Sequence, residues 1–124
     1  MPVTFEIDHN NRLTIFTVTG EPTLQEGLAV YQRFYRNNPT LKVLWDFRMA
    51  NLAQISNQDF QQIVYGVKYL PEKLKGGKTA LLAFSELETT LLRMIQKSML
   101  INDFPLEIEI FNLMEKAMQW FGEE

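Results

Sequence analysis

Lys78-Thr79-Ala80-Leu81-Leu82-Ala83-Phe84-Ser85-Glu86-Leu87-Glu88 is the stretch on which the fold turns. From Ala80 to Phe84 it is apolar without alternation, as expected of a strand covered on both faces. Ser85 then stands three positions before Glu88. A short oxygen side chain followed at that spacing by an acid forms the reciprocal cap that satisfies free N–H groups at a helix start. A buried strand therefore passes directly into a helix. The same spacing recurs at Thr23/Glu26, Ser56/Asp59 and Asn112/Glu115, each time downstream of a strand-like apolar segment. Together the caps divide the chain into β-β-α-β-α-β-α-β-α, an α/β fold with a single mixed five-stranded sheet.

Toward the N-terminus, Val3, Phe5 and Ile7 alternate with Thr4, Glu6 and Asp8, which marks a strand with one buried face. His9-Asn10-Asn11-Arg12 reads as a turn, since asparagine tolerates left-handed backbone. Residues 13–19 read as a second strand, so the first two strands form an antiparallel hairpin. Gly20-Glu21-Pro22 breaks the chain before a helix over 23–37, with Leu24, Leu28, Tyr31, Phe34 and Tyr35 on its inner face. Residues 42–46 form a short apolar strand and 47–55 a loop. Ser56 opens a helix carrying Phe60, Ile63, Val64, Val67 and Leu70, with a kink expected at Pro71. Gly76-Gly77 is a turn. The helix 86–101 is expected to bury Leu87, Leu91, Met94, Ile95, Ser98 and Met99 along one stripe, with Leu92, Leu100 and Ile101 partly outside it. Residues 106–111 alternate again, and Asn112 is expected to cap a last helix that buries some of Leu113, Met114, Ala117, Trp120 and Phe121. Strands 3–8 and 106–111 alternate polar with apolar and belong at the sheet edges. The strands at Val43 and Ala80 are apolar throughout and belong inside.

A chain of 124 residues with 46% hydrophobic side chains builds one domain, residues 1–124, with a core of its own. Its 12 basic and 15 acidic residues are interspersed, for a net charge of −3. No basic stripe exists to neutralise phosphates, which argues against a nucleic-acid partner. The absence of cysteine excludes disulfides, thiolate metal sites and cysteine nucleophiles. The start, Met1-Pro2-Val3-Thr4-Phe5, has no basic region followed by an apolar run, and no apolar run approaches the roughly 20 residues of a membrane span. No integral membrane segment and a cytoplasmic location are therefore expected.

The hairpin followed by helix–strand crossovers and a final helix resembles the STAS domain, the fold of bacterial anti-sigma-factor antagonists. It looks closer still to the small stand-alone SpoIIAA-like proteins, related to STAS and SEC14 domains. The resemblance spans nearly the whole chain. It rests on the N-terminal hairpin, the Val43-Leu44-Trp45-Asp46-Phe47-Arg48 strand exit and Ala50-Asn51-Leu52. The Ser56 cap, the Gly76-Gly77-Lys78 strand entry and the strand 106–111 with Asn112 complete it. In regulatory members of that family the helix after this strand begins at a phosphorylatable serine within an Asp-Ser-(Ser/Ala)-Gly run. Here the stretch reads Gln54-Ile55-Ser56-Asn57-Gln58-Asp59: the serine is present, the flanking Asp and Gly are not. The resemblance implies a non-enzymatic role, binding another protein or a small or lipid-like ligand.

Ser56 is the candidate phosphosite, since added negative charge at a helix N-terminus is favoured by the helix dipole; its plainer role is the cap itself. Asp46, Arg48, Ser85 and Asn112 should gather with Ser56 at the carboxyl ends of the strands, where ligands of open α/β sheets bind. The plainer role of Asp46 and Arg48 is a local salt bridge steadying the following loop. His9, the single histidine, falls in a hairpin turn rather than a cleft. No ligand spacing suggests a metal, and Gly76-Gly77 precedes a strand, the reverse of a phosphate-binding loop. No cofactor is expected. The helix 86–101 carries more apolar residues than one core stripe needs. Leu91, Leu92, Ile95, Met99 and Leu100 are its candidate interface, for a second copy or another protein.

These features favour a regulatory or protein-interaction module without catalytic activity, acting through protein contacts and as a homodimer. The alternative is a carrier of a small or lipid-like ligand, with Tyr31, Phe34, Tyr35, Phe60 and Tyr65 lining an apolar pocket.

Overall fold

The computed structural model describes residues 2–36, 39–56, 58–59, 61–62, 76–101 and 106–123, with the side chain of Tyr35 outside that set. Its strands are β1 (Val3–Asp8), β2 (Leu13–Gly20), β3 (Lys42–Ala50), β4 (Lys78–Leu82) and β5 (Glu107–Phe111), and its helices are α1 (Leu24–Arg36), α2 (Glu86–Ile101) and α3 (Met114–Phe121). The strands form one sheet in the order β1-β2-β3-β4-β5. β1 and β2 pair antiparallel, and every later pair is parallel. The alternating strands thus stand at the edges and the apolar ones inside, as their patterns imply.

The hairpin turn is closed by side chains. The Asp8 carboxylate accepts hydrogen bonds from Asn11 Nδ2 at 2.7 Å and from the Asn11 backbone N–H at 3.2 Å. These bonds hold the Asp8 carboxyl below its usual range. The left-handed residue of the turn is Arg12, with φ 52°, rather than one of the asparagines.

Period-two alternation sorts the side chains onto two faces. On one face Phe16 stacks on its register partner Trp45, centroids 4.1 Å apart, and Trp45 stacks in turn on Phe47. Val3, Val18 and Val43 pack beside them, with Val30 and Phe34 of α1 laid over this end. At the other end of the same face, Leu92, Ile95 and Met99 of α2 cover Leu81 and Ala83. On the opposite face, Ala117 and Phe121 of α3 pack on Leu13, Leu44, Ala80 and Leu82. Lys78 ties the end of α3 to the sheet, its Nζ donating to the carbonyls of Trp120 and Glu123. A cation at a helix C-terminus also complements the dipole there.

Several expectations are corrected. β3 runs to Ala50, not to Asp46, because β2 continues to pair with it beyond a bulge, through Thr19 with Met49 and Gly20 with Ala50. The expected loop therefore begins only at Asn51, whose N–H donates to the Gly20 carbonyl at 2.7 Å. In α1 the buried side chains are Leu24, Val30 and Phe34, while Leu28 is exposed. In α2 the buried stripe is Glu88, Leu92, Ile95 and Met99, one position on from the expected one, and Leu87 and Met94 face outward. The last helix begins one residue later than Asn112 would place it. Its N-cap is Leu113, with no side-chain capping bond, and Leu113 is exposed. The reciprocal Ser56–Asp59 cap forms, and residues 58, 59, 61 and 62 are helical. Phe60, Ile63, Val64, Tyr65, Val67, Leu70 and Pro71 lie outside the described residues.

Candidate functional site

Because α1 covers one end of the sheet and α2 the other, their shared face holds a cavity of about 340 Å³ between them. Strand alternation supplies its floor: Val18 from β2, Trp45 and Phe47 from β3, Leu81 from β4 and Ile108 from β5 all point the same way. Leu24, Leu28 and Tyr31 of α1 form one wall; Leu92, Ile95 and Met99 of α2 form the other. Leu52 and Ile55, from the segment leaving β3, close the side at the carboxyl ends of the strands. Thr23, Gln32 and Thr79 are the polar side chains of an otherwise apolar lining besides the Tyr31 hydroxyl, among the described residues. A concave, apolar space of this size with few polar groups is the common form of a small-molecule site.

One wall is held by a buried acid. Glu88 is 7% exposed, and its Oε1 accepts a hydrogen bond from the Leu52 N–H at 3.3 Å. Ser85 completes half of the expected reciprocal cap, its Oγ accepting the Glu88 N–H at 3.2 Å. The other half is replaced by the bond to Leu52, so the acid joins β3's exit to α2 instead of returning to its own helix start.

Asp46 and Arg48 lie on the opposite face. Arg48 Nε and Nη2 donate to the two Asp46 carboxylate oxygens at 2.9 Å each, and the Arg48 backbone N–H donates to Oδ1 at 3.0 Å. Partial burial pushes the Asp46 carboxyl up. The Arg48 side-chain bond, its backbone bond and its charge together outweigh that, leaving the carboxyl below its usual range. The guanidinium also lies over the exposed Phe84 ring, 5.5 Å from its centroid. This is the local salt bridge that two positions in one strand permit.

Among the described residues, no hydrogen bond joins the Asp46–Arg48 pair to Ser56, Ser85 or Asn112. Ser56 is exposed, and its Oγ accepts the Asp59 N–H at 3.1 Å while the Asp59 carboxylate accepts the Ser56 N–H. Its observed role is that of a cap. Of the candidate interface residues, Leu92, Ile95 and Met99 belong to the core, and Leu92 is only 1% exposed. Leu91 is half-buried and Leu100 is exposed. Of the expected pocket aromatics, Tyr31 lines the cavity and Phe34 is buried beside it in the core. Phe60, Tyr65 and the Tyr35 side chain lie outside the described residues. Trp45 and Phe47 join the lining beyond the expected aromatics, and their alternation with Val43 in β3 puts all three side chains on this face.

No protein-family model matches this sequence, and no curated protein matches it either. Among solved structures, an uncharacterized protein of the DUF3478 family from Shewanella loihica PV-4, with a SpoIIAA-like fold, is similar at 15% identity and a TM-score of 0.62. The similarity covers 96% of this chain and 91% of that one. This chain has a SpoIIAA-like fold. At that identity the likeness carries the architecture alone: the antiparallel hairpin, the parallel crossovers and the helices of the described residues. Among those residues, no helix of this SpoIIAA-like domain is long and apolar enough to cross a membrane.

Proposed function

We propose that this domain is a binding module without catalytic activity, whose ligand is an apolar small molecule held between α1 and α2. The observation that carries the reading is the cavity of about 340 Å³, floored by Trp45, Phe47 and Leu81 and walled by apolar faces of both helices. Thr23, Gln32 and Thr79 supply a few hydrogen-bonding groups to orient a polar end, such as the carboxyl of an acyl chain. Native mass spectrometry of freshly purified protein tests it. The polypeptide should carry added mass that denaturation releases, and stripped protein should take up a fatty acid with a change in tryptophan fluorescence. Bare polypeptide that takes up neither fatty acids nor aromatic probes sinks the reading.

A second reading, a protein-interaction module that self-associates, is favoured by the outer side of α2. Leu87, Met94 and Ile101 recur there every seven residues, with Leu100 also outward, 74% exposed. A dimer at bare polypeptide mass, dissociated by Leu100→Glu, would favour this reading over the carrier.

A further inference from the structure

Among the described residues, β5 is an open edge of the sheet. Its Glu107 N–H donates to the Gly77 carbonyl, and its Phe111 carbonyl accepts the Ala83 N–H. In a parallel ladder alternate residues face the same neighbour, so 107, 109 and 111 bond toward β4 and the backbone groups of Ile108 and Ile110 point away from it. Among the described residues, one of those outward groups has a partner: the Ile108 carbonyl accepts a hydrogen bond from Gln96 Nε2 of α2 at 2.7 Å. Along this edge lies a groove of about 320 Å³, bounded by Met99 and Leu100 of α2 on one side and Trp120 of α3 on the other.

The two rims of the groove differ in chemistry. On the α2 side Ile108, Met99, Leu100 and Leu106 are apolar, beside the polar Gln96. On the α3 side stand Glu107 and Glu109, both exposed. Neither carboxylate has an ion pair among the described residues, although Glu109 Oε1 accepts a long hydrogen bond from Gln96 Nε2 at 3.4 Å. Lys78, the register partner of Glu107, is turned instead to the carbonyls of Trp120 and Glu123. A strand added here would alternate its side chains between these rims.

We propose that the outer edge of β5 docks an extended segment of a partner protein that carries basic residues at alternate positions. Its backbone extends the sheet through Ile108 and Ile110, displacing Gln96 Nε2 from the Ile108 carbonyl. Its lysines or arginines meet Glu107 and Glu109, and its intervening apolar side chains enter the groove beside Leu100. A second copy of this chain is the wrong occupant. Pairing β5 with β5 about a two-fold axis sets the carboxylates of each copy against those of the other, which is repulsive.

The test uses short blocked peptides and the whole protein, read by fluorescence anisotropy. A peptide alternating lysine and valine should bind and slow hydrogen exchange at the Ile108 and Ile110 amides. The same peptide N-methylated along its pairing edge should not bind, nor should one alternating glutamate and valine. The double variant Glu107→Lys with Glu109→Lys changes only exposed side chains, and circular dichroism checks that it stays folded. It should lose affinity for the lysine peptide by about tenfold or more and gain it for the glutamate peptide. Failure of the lysine peptide to bind overturns the proposal. So does binding that survives N-methylation or the charge reversal.

Discussion

The Leu52 backbone N–H donates to the Glu88 carboxylate across 36 positions of sequence, joining the exit of β3 to the first turn of α2. Both residues are buried, so neither group exchanges its partner for water at low cost. Removing the carboxylate leaves the Leu52 N–H unsatisfied beside the cavity.

Glu88→Ala should therefore destabilise the fold by about 1–3 kcal/mol, the cost of an orphaned buried donor. Glu88→Gln keeps an acceptor oxygen and should cost less. Chemical denaturation of both variants measures the difference. Equal losses would show that the site requires the carboxylate's charge, and not the acceptor oxygen or the side-chain volume that glutamine retains.

The caps make a second, sharper comparison. Thr23 and Glu26 satisfy each other's backbone N–H groups at 2.8 and 3.2 Å. Thr23→Ala and Ser85→Ala should each cost about 1 kcal/mol. Asn112 makes no cap, so Asn112→Ala should change stability by less than about 0.5 kcal/mol. The same denaturation experiment ranks the three, and a loss at Asn112 matching that at Thr23 contradicts the assignment of Leu113 as N-cap.

Thr23 and Ser56 cap their helices as the spacing implies and Asn112 does not, for a physical reason. Spacing shows that a cap is available, whereas φ and ψ decide which residue starts the helix. The sheet was more legible. Polar alternation in 3–8 and 106–111 reports an exposed face directly, and those strands are the edges β1 and β5. The rotation of α2 was not legible, because apolar residues fill two adjacent stripes, 87/91/94 and 92/95/99. The second stripe also contains the charged Glu88, whose burial is explained by its distant partner Leu52. The cavity was hidden for a similar reason. Its floor brings together Val18, Trp45, Leu81 and Ile108, each from a different strand.

That rotation is itself testable. Leu92→Asp places a charge at a fully buried position lining the cavity and should abolish cooperative folding, beyond the 2–5 kcal/mol that truncation to alanine costs. Leu100→Asp and Ile101→Asp alter exposed side chains and should leave the melting transition within a few degrees of the parent. If Leu92→Asp melts like the parent, the helix is turned the other way.

Asp46 gives a stability contribution with a defined sign in pH. Its carboxyl in the folded chain sits below the ordinary value of 3.8, so folding favours its ionised form. The stabilisation is fully present above the unfolded value. It fades as pH falls below that value and is gone below the folded one. Asp46→Asn should therefore be less stable than the parent at neutral pH. The gap should stay modest, because the pair is partly solvated and screened. It should close on acidification below the ordinary carboxylate value of 3.8, as protonation disarms the parent's own carboxylate. Urea titrations of both proteins across this range provide the check. A gap that stays constant from neutral to acid pH means that the Arg48 contact contributes through packing over Phe84 and not through charge.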